Sequence, residues 1–215
     1  MNLKTSTEKV KAQSGRETGR QAQKSASTRK IIVEAALSCL IRYGYANTTT
    51  PVIAREAGVS RGAMMHHFSN RLTVIQAAIE YLHEKRLKAF RRAVANLPKD
   101  QPQLHDGLKA YWKHVTHPLY VAFHELTVAA RTDRDLARIL GPAQEAFYDE
   151  WYRMAGELFP DWQKDPASLE LAMDLVNTTL EGMAIRRLSL PENPGAEARL
   201  FKYLEACLAA LKPAD

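Results

Sequence analysis

Residues 48–68, TTTPVIAREAGVSRGAMMHHF, hold two short helical patterns joined at Gly58-Val59-Ser60. Val52, Ile53, Ala54 and Ala57 supply small apolar residues to the first pattern. Gly58 can take the positive φ that ends a helix. Val59 fills the gap between the helices, and Ser60 can N-cap a second helix starting at Arg61. Thr48-Thr49-Thr50-Pro51 has the hydroxyl cap and early proline of a helix start. The spacing predicts a helix-turn-helix whose second helix enters a DNA major groove while the first crosses the backbone.

Working outward, the pattern before this stretch is helical from Thr28. Ile32, Ala35, Ala36, Cys39, Leu40 and Tyr43 share one face, and Gly44 ends the run. After Phe68, Ser69-Asn70 can cap a long helix through Ile75, Ala78, Ile79, Leu82, Leu87 and Phe90 towards Leu97-Pro98. Further helices are expected near 103–117, 119–131, 133–159, 166–189 and 195–211, with an interruption at Gly141-Pro142. Strand-like alternation is nearly absent, so the fold is expected to be all-α. Residues 1–27 have almost no large apolar residue and are expected to form a disordered basic tail, carrying Lys4, Lys9, Lys11, Arg16, Arg20 and Lys24. Such a tail either solubilises or reaches DNA as an arm.

The net charge of +6 is unevenly placed. Residues 1–71 hold 12 Lys/Arg against 4 acidic residues, and the remainder holds 18 against 20. A basic head on a near-neutral body suits polyanion binding by the head alone. Cys39 and Cys207 are far apart within helical apolar patterns and read as core residues. No run is long and apolar enough for a membrane span and no secretory signal is evident, which implies a cytoplasmic protein without membrane partners. A single Glu80-x-x-His83, no Gly-rich phosphate loop and no Gly-x-Ser-x-Gly elbow argue against an enzyme. His114 and His117 have a spacing that can share a metal, but nothing completes a site, so neither metal nor cofactor is expected.

The stretch from Thr28 to Leu82 resembles the TetR family of bacterial regulators. The residues that carry the resemblance are Ala35-Ala36, Gly44-Tyr45, Thr48, Ile53 through Ser60, Arg61-Gly62-Ala63, His66-His67-Phe68 and Arg71. Leu180-Glu181-Gly182-Met183-Ala184 resembles a turn of that family's penultimate helix. Met65 departs from the commoner aromatic, and Leu72 from the commoner acidic residue. The resemblance implies a three-helix DNA-binding domain at 28–72, then a larger helical ligand-binding and dimerisation domain at 73–215. It also implies a homodimer on a palindromic double-stranded operator, repressing until a small-molecule inducer releases it. Leu171, Leu175, Thr178, Thr179, Gly182 and Ile185, with the stripe Leu200, Tyr203, Leu204, Cys207, Leu208 and Leu211, would form a four-helix interface. The rival reading is a non-specific architectural DNA binder with no inducer.

Thr48, Thr49, Ser60 and Arg71 suit phosphate contacts, which position without reading sequence. Arg61, Ala63, Met65 and His66 are candidates for base edges, Gly62 for close approach, and His67 for either base or phosphate. Val59, Met64 and Phe68 are expected to face the head's core. For the ligand, the body is rich in aromatic and polar residues. Trp112, Tyr120, His124, Glu125, Tyr148, Trp151, Asn177 and Glu181 are the candidate lining, among neighbours such as Tyr111, His114, Phe123 and Phe147.

Overall fold

The computed structural model describes the backbone of residues 4–96 and 104–212, and side chains from residue 21 onward except residue 94. The described residues form α-helices and one 3₁₀ turn joined by short loops, with no strand among them. They form two compact units, the first running to Tyr81 and the second starting at Leu82. The sequence reading put the division at residues 72/73. The first turns of the fourth helix belong to the head instead, because they bury Val74, Ile75, Ala77, Ala78 and Ile79.

In the first unit, α1 spans Lys4–Asn47, α2 Thr50–Glu56, α3 Arg61–His67, and α4 starts at Arg71 and continues to Ala95 in the second unit. The backbone is helical from Lys4, where the sequence reading placed a disordered tail. Residues 21–27 are exposed, so local propensity rather than burial favours helix there: Gln, Ala, Lys and Ser alternate without proline. Gly44 breaks the helical geometry within α1 at φ 76°, and Gly58 takes φ 65° between α2 and α3. These are the two positions where the chain turns and a Cβ would be strained.

The head's core is Ile32, Ala36, Cys39 and Leu40 of α1 against Ile53, Ala54, Met64, Phe68 and Ile75. Polar links fix the same packing at the surface. Glu56 accepts from Arg42 Nη1 at 2.9 Å and Ser38 Oγ at 3.2 Å, joining α2 to α1. Tyr81 Oη donates to Glu34 at 2.6 Å, joining α4 to α1. Asn70 caps α4 by accepting from Thr73 N at 3.0 Å.

The second unit comprises the end of α4, then α5 Leu104–Val115, α6 Pro118–Ala130, α7 Arg134–Leu158, a 3₁₀ turn Pro160–Lys164, α8 Pro166–Arg186 and α9 Pro194–Leu211. Asp133, Asp165 and Asn193 cap α7, α8 and α9. The expected interruption at Gly141-Pro142 does not occur; α7 runs through Pro142. Leu136, Leu140 and Phe147 bury both sides of it. The carbonyl of exposed Arg138, which Pro142 leaves without an amide partner, lies in a solvated stretch. None of the described helices is long and apolar enough to cross a membrane.

Candidate functional site

Two places in the molecule carry chemistry beyond packing, one in each unit. In the head, α3 is held from beneath by fully buried Met64 and by Phe68, which follows its last turn. The helix begins on Ser60, whose Oγ accepts from Ala63 N at 3.1 Å. With that face anchored, Arg61, Gly62, Ala63, Met65 and His66 are exposed, and His67 is half-buried. A Cβ on Gly62 would meet nothing closer than Ser60 Oγ at 3.9 Å. No intramolecular crowding therefore accounts for a glycine inside this helix. Exposed Thr49 is the N-cap position of α2 and makes no side-chain cap bond.

Two residues assigned to phosphates from the sequence have internal tasks. Thr48 is fully buried, and its hydroxyl donates to Gly44 O at 2.6 Å. Arg71 donates from Nε to Thr48 O at 2.8 Å and from Nη2 to Tyr45 O at 2.5 Å, with its guanidinium 4.1 Å from the Tyr45 ring centroid. A positive φ at Gly44 turns the chain so that these two carbonyls face α4. Arg71 is thus a clamp across the α1–α2 junction.

In the second unit, Arg86 is 1% exposed, although among the described residues it belongs to no ion pair. It lies 4.0 Å from the ring centroids of both Phe123 and Phe147 and 5.3 Å from that of Tyr120. Its Nε and Nη1 are buried without hydrogen-bond partners. Burial pulls its pKa down while Tyr111, Tyr120, Tyr148 and Glu181 act in the opposite direction; an arginine stays protonated at neutral pH all the same. His83, one turn earlier, packs against Phe123 and Phe147 with both ring nitrogens unpaired. Burial first, and Arg86 second, lower its pKa to about 3.

Around this pair, Trp151 lies 4.0 Å from Phe90, 4.8 Å from Tyr111 and 5.3 Å from His114, centroid to centroid. Trp151 Nε1, His114 Nε2, Tyr120 Oη, His124 Nδ1 and Asn177 Oδ1 are all buried and unpaired. Burial, then Arg86 and His117, hold His114 well below the ordinary imidazole pKa. Glu181 accepts from Tyr111 Oη at 3.0 Å, and it raises the pKa of Tyr120 and Tyr148 beyond the larger effect of burial. Tyr120 Oη faces this carboxylate too, without a hydrogen bond of ordinary geometry.

Of the residues picked from sequence, Tyr120, His124, Tyr148, Trp151, Asn177 and Glu181 carry these features. Trp112 does not join them: its ring packs edge-on to Phe201 at 5.8 Å and beneath Arg187 at 5.4 Å. Glu125 lines none of the three cavities described below. Arg86 and His83 were missed. The signal was there, since Ile75, Ile79, Leu82, Arg86 and Phe90 form one stripe at spacings of four and three, with a charge at its fourth position.

Three cavities border this cluster. A groove of about 190 Å³ includes Arg86, Phe90, Lys113, His114 and His117 in its lining. A second of about 340 Å³ includes Tyr120, His124 and Arg187. An apolar one of about 70 Å³ is walled by Phe90, Tyr111, Trp151, Trp162 and Leu208 among others. Among the described residues, no three His, Cys, Asp or Glu side chains converge as a metal site would need.

A helix with its inner face anchored and its outer face offering Arg61, Ala63, Met65 and His66 defines a helix-turn-helix DNA-binding protein. Residues 32–78 match the family model described as bacterial regulatory proteins, tetR family. An uncharacterized HTH-type transcriptional regulator of Mycobacterium tuberculosis is 29% identical over 195 residues, covering 88% of this chain and 97% of that one. A putative transcriptional regulator from Pseudomonas aeruginosa superposes with TM-score 0.63 at 21% identity, covering 86% of this chain and 89% of that chain. The multidrug binding protein EbrR, solved with ethidium, superposes with TM-score 0.60 at 19% identity over 87% of this chain and 99% of its own. Residues 32–78 thus carry the DNA-binding region of the TetR family, and over most of its length the chain is similar to HTH-type transcriptional regulators.

Proposed function

We propose that the protein is a homodimeric, cytoplasmic repressor that reads a palindromic operator and is released by a small molecule bound in its second unit. The observation that supports the ligand is the cluster around Arg86. Each buried, unpaired polar group costs about 1–3 kcal/mol, and native proteins keep few of them away from functional sites. Seven residues here, His83, Arg86, His114, Tyr120, His124, Trp151 and Asn177, carry such atoms within one unit. EbrR, a multidrug binding protein with a similar fold, was solved with ethidium, which supports a small-molecule ligand for this chain.

For DNA, Arg61, Gly62, Ala63, Met65 and His66 meet base edges, and Thr49, Ser60 and His67 meet backbone. Arg71 and Thr48 act indirectly by fixing α4 against the α1–α2 junction. The dimer face is the apolar surface left open on α8 and α9. Leu171, Ile185 and Leu200 are exposed there, Tyr203 reaches 72% exposure, and a Cβ on Gly182 would meet nothing within 4 Å. The ligand acts by preferring a conformation whose two reading helices miss successive major grooves, spaced about 34 Å apart.

Selection of duplexes from a random library at near-physiological salt tests the reading. An enriched palindrome supports a symmetric, sequence-reading dimer. Salt-sensitive binding without enrichment overturns it in favour of an architectural DNA binder.

A further inference from the structure

We propose that the cluster around Arg86 takes an amphipathic organic monoanion, a small aromatic or aliphatic carboxylate, with Arg86 as the anchor of its acidic head. This deepens the ligand-responsive reading above and rests on it.

Three observations choose the sign of the ligand's charge. Arg86 is enclosed yet lies in no ion pair among the described residues, and two of its three guanidinium nitrogens have no acceptor there. Among the described residues, the groove that reaches it is lined by Arg86, Arg92, Lys113, His114 and His117 and by no Asp or Glu. The one acidic group acting on Arg86, Glu181, is already engaged by the Tyr111 hydroxyl at 3.0 Å. A cation entering here would meet a buried guanidinium; a carboxylate would supply the acceptors its N–H groups lack. The unpaired Trp151 Nε1–H is a further donor for the same oxygens.

The rest of the ligand is fixed by what surrounds the charge. Phe90 lines both the cationic groove and the apolar cavity walled by Tyr111, Trp151 and Trp162. A head at Arg86 therefore leaves an apolar tail against aromatic rings. A monoanion suits the site better than a phosphate dianion, because a single enclosed cation sits near Glu181 and a second negative charge would be desolvated without a partner.

The test uses the full-length protein with acetate, hexanoate, decanoate, benzoate and 4-ethylbenzoate, each beside its uncharged carboxamide. Binding is read by tryptophan fluorescence and by thermal shift, and release of DNA is followed in parallel. Expected is that a carboxylate with an apolar tail binds at least ~10-fold tighter than its amide, about 1.4 kcal/mol. Arg86→Met brings the carboxylate-to-amide affinity ratio close to one; should this variant not fold, the carboxylate/amide comparison on the unaltered protein decides. Amides or the cation ethidium binding as tightly as the carboxylates, or no carboxylate binding by about 10 mM, overturns the proposal. If ethidium releases DNA and carboxylates do not bind, ligand response survives and the anion site falls. If a carboxylate binds selectively and DNA affinity is unchanged, the anion site stands and its role as an inducer site falls.

Discussion

The guanidinium carbon of Arg86 lies 4.0 Å from the centroid of the Phe147 ring. Phe123 offers a second ring at the same distance. A desolvated cation–π contact contributes on the order of 2 kcal/mol, which offsets only part of what it costs to enclose a charge with no carboxylate. The arrangement holds the side chain in place while leaving Nε and Nη1 without acceptors among the described residues.

Replacing that charge by a shape-matched apolar side chain should therefore raise stability in the absence of ligand. Arg86→Met is expected to increase the ligand-free Tm by several degrees, since ~1 kcal/mol shifts Tm by roughly 2–4 °C at this chain length. Phe147→Leu should lower it by a comparable amount, losing both ring packing and the cation–π contact. Thermal unfolding followed by circular dichroism measures both, and a fall in Tm for Arg86→Met at neutral pH would contradict this account of the cage.

The buried imidazoles predict an acid dependence. His83 titrates near 6.5 when unfolded and at about 3 in the folded protein. Both states leave it neutral above pH 6.5, so no penalty exists there. As pH falls below 6.5 the unfolded chain takes up a proton that the folded one refuses, and stability declines until about pH 3. The slope is up to ~1.4 kcal/mol per pH unit for one such histidine, and His114, shifted in the same direction, steepens it. Urea unfolding at pH 7.5 and pH 5 should show this loss, and His83→Leu should reduce it.

Arg71 makes two charge-assisted hydrogen bonds to backbone carbonyls. Arg71→Ala should destabilise the DNA-free protein by about 2–4 kcal/mol. Denaturation without DNA separates this from a phosphate contact, whose removal would leave the unbound protein's stability unchanged.

Arg61 and Gly62 should behave oppositely to Arg71. Arg61→Ala is expected to cost about 1–3 kcal/mol on the selected operator and much less on random DNA. Gly62→Ala should stabilise α3 by roughly 0.5–1 kcal/mol yet weaken operator binding, because the space beyond Gly62 is open in the unbound protein. Equal losses for Arg61→Ala on both DNAs would reassign it to backbone.

The head was legible in the sequence because its cues are local. Gly44, Gly58 and Ser60 each announce a turn or a cap within a few residues, and each does that job in the structure. Thr48 and Arg71 were assigned to phosphate because a hydroxyl and a guanidinium suit phosphate and carbonyl oxygen equally well; their separation of 23 positions hides that they meet. Pro142 within α7 was unreadable for a related reason, as buried Leu140 and Phe147 decide its outcome from outside the local pattern. In the body, composition indicated an aromatic and polar lining, but Trp112 and Trp151 look alike in sequence and point to different neighbours. Arg86 was overlooked because a charge on an apolar stripe is conventionally assigned to solvent.

The unpaired donors at Arg86 also bear on how long the protein lasts. An interior that keeps unpaired donors opens more often than one in which they are satisfied, and opened chains are what proteases cut. Under the proposed ligand response, occupancy sets lifetime as well as DNA affinity, so the unoccupied protein is the one that turns over faster.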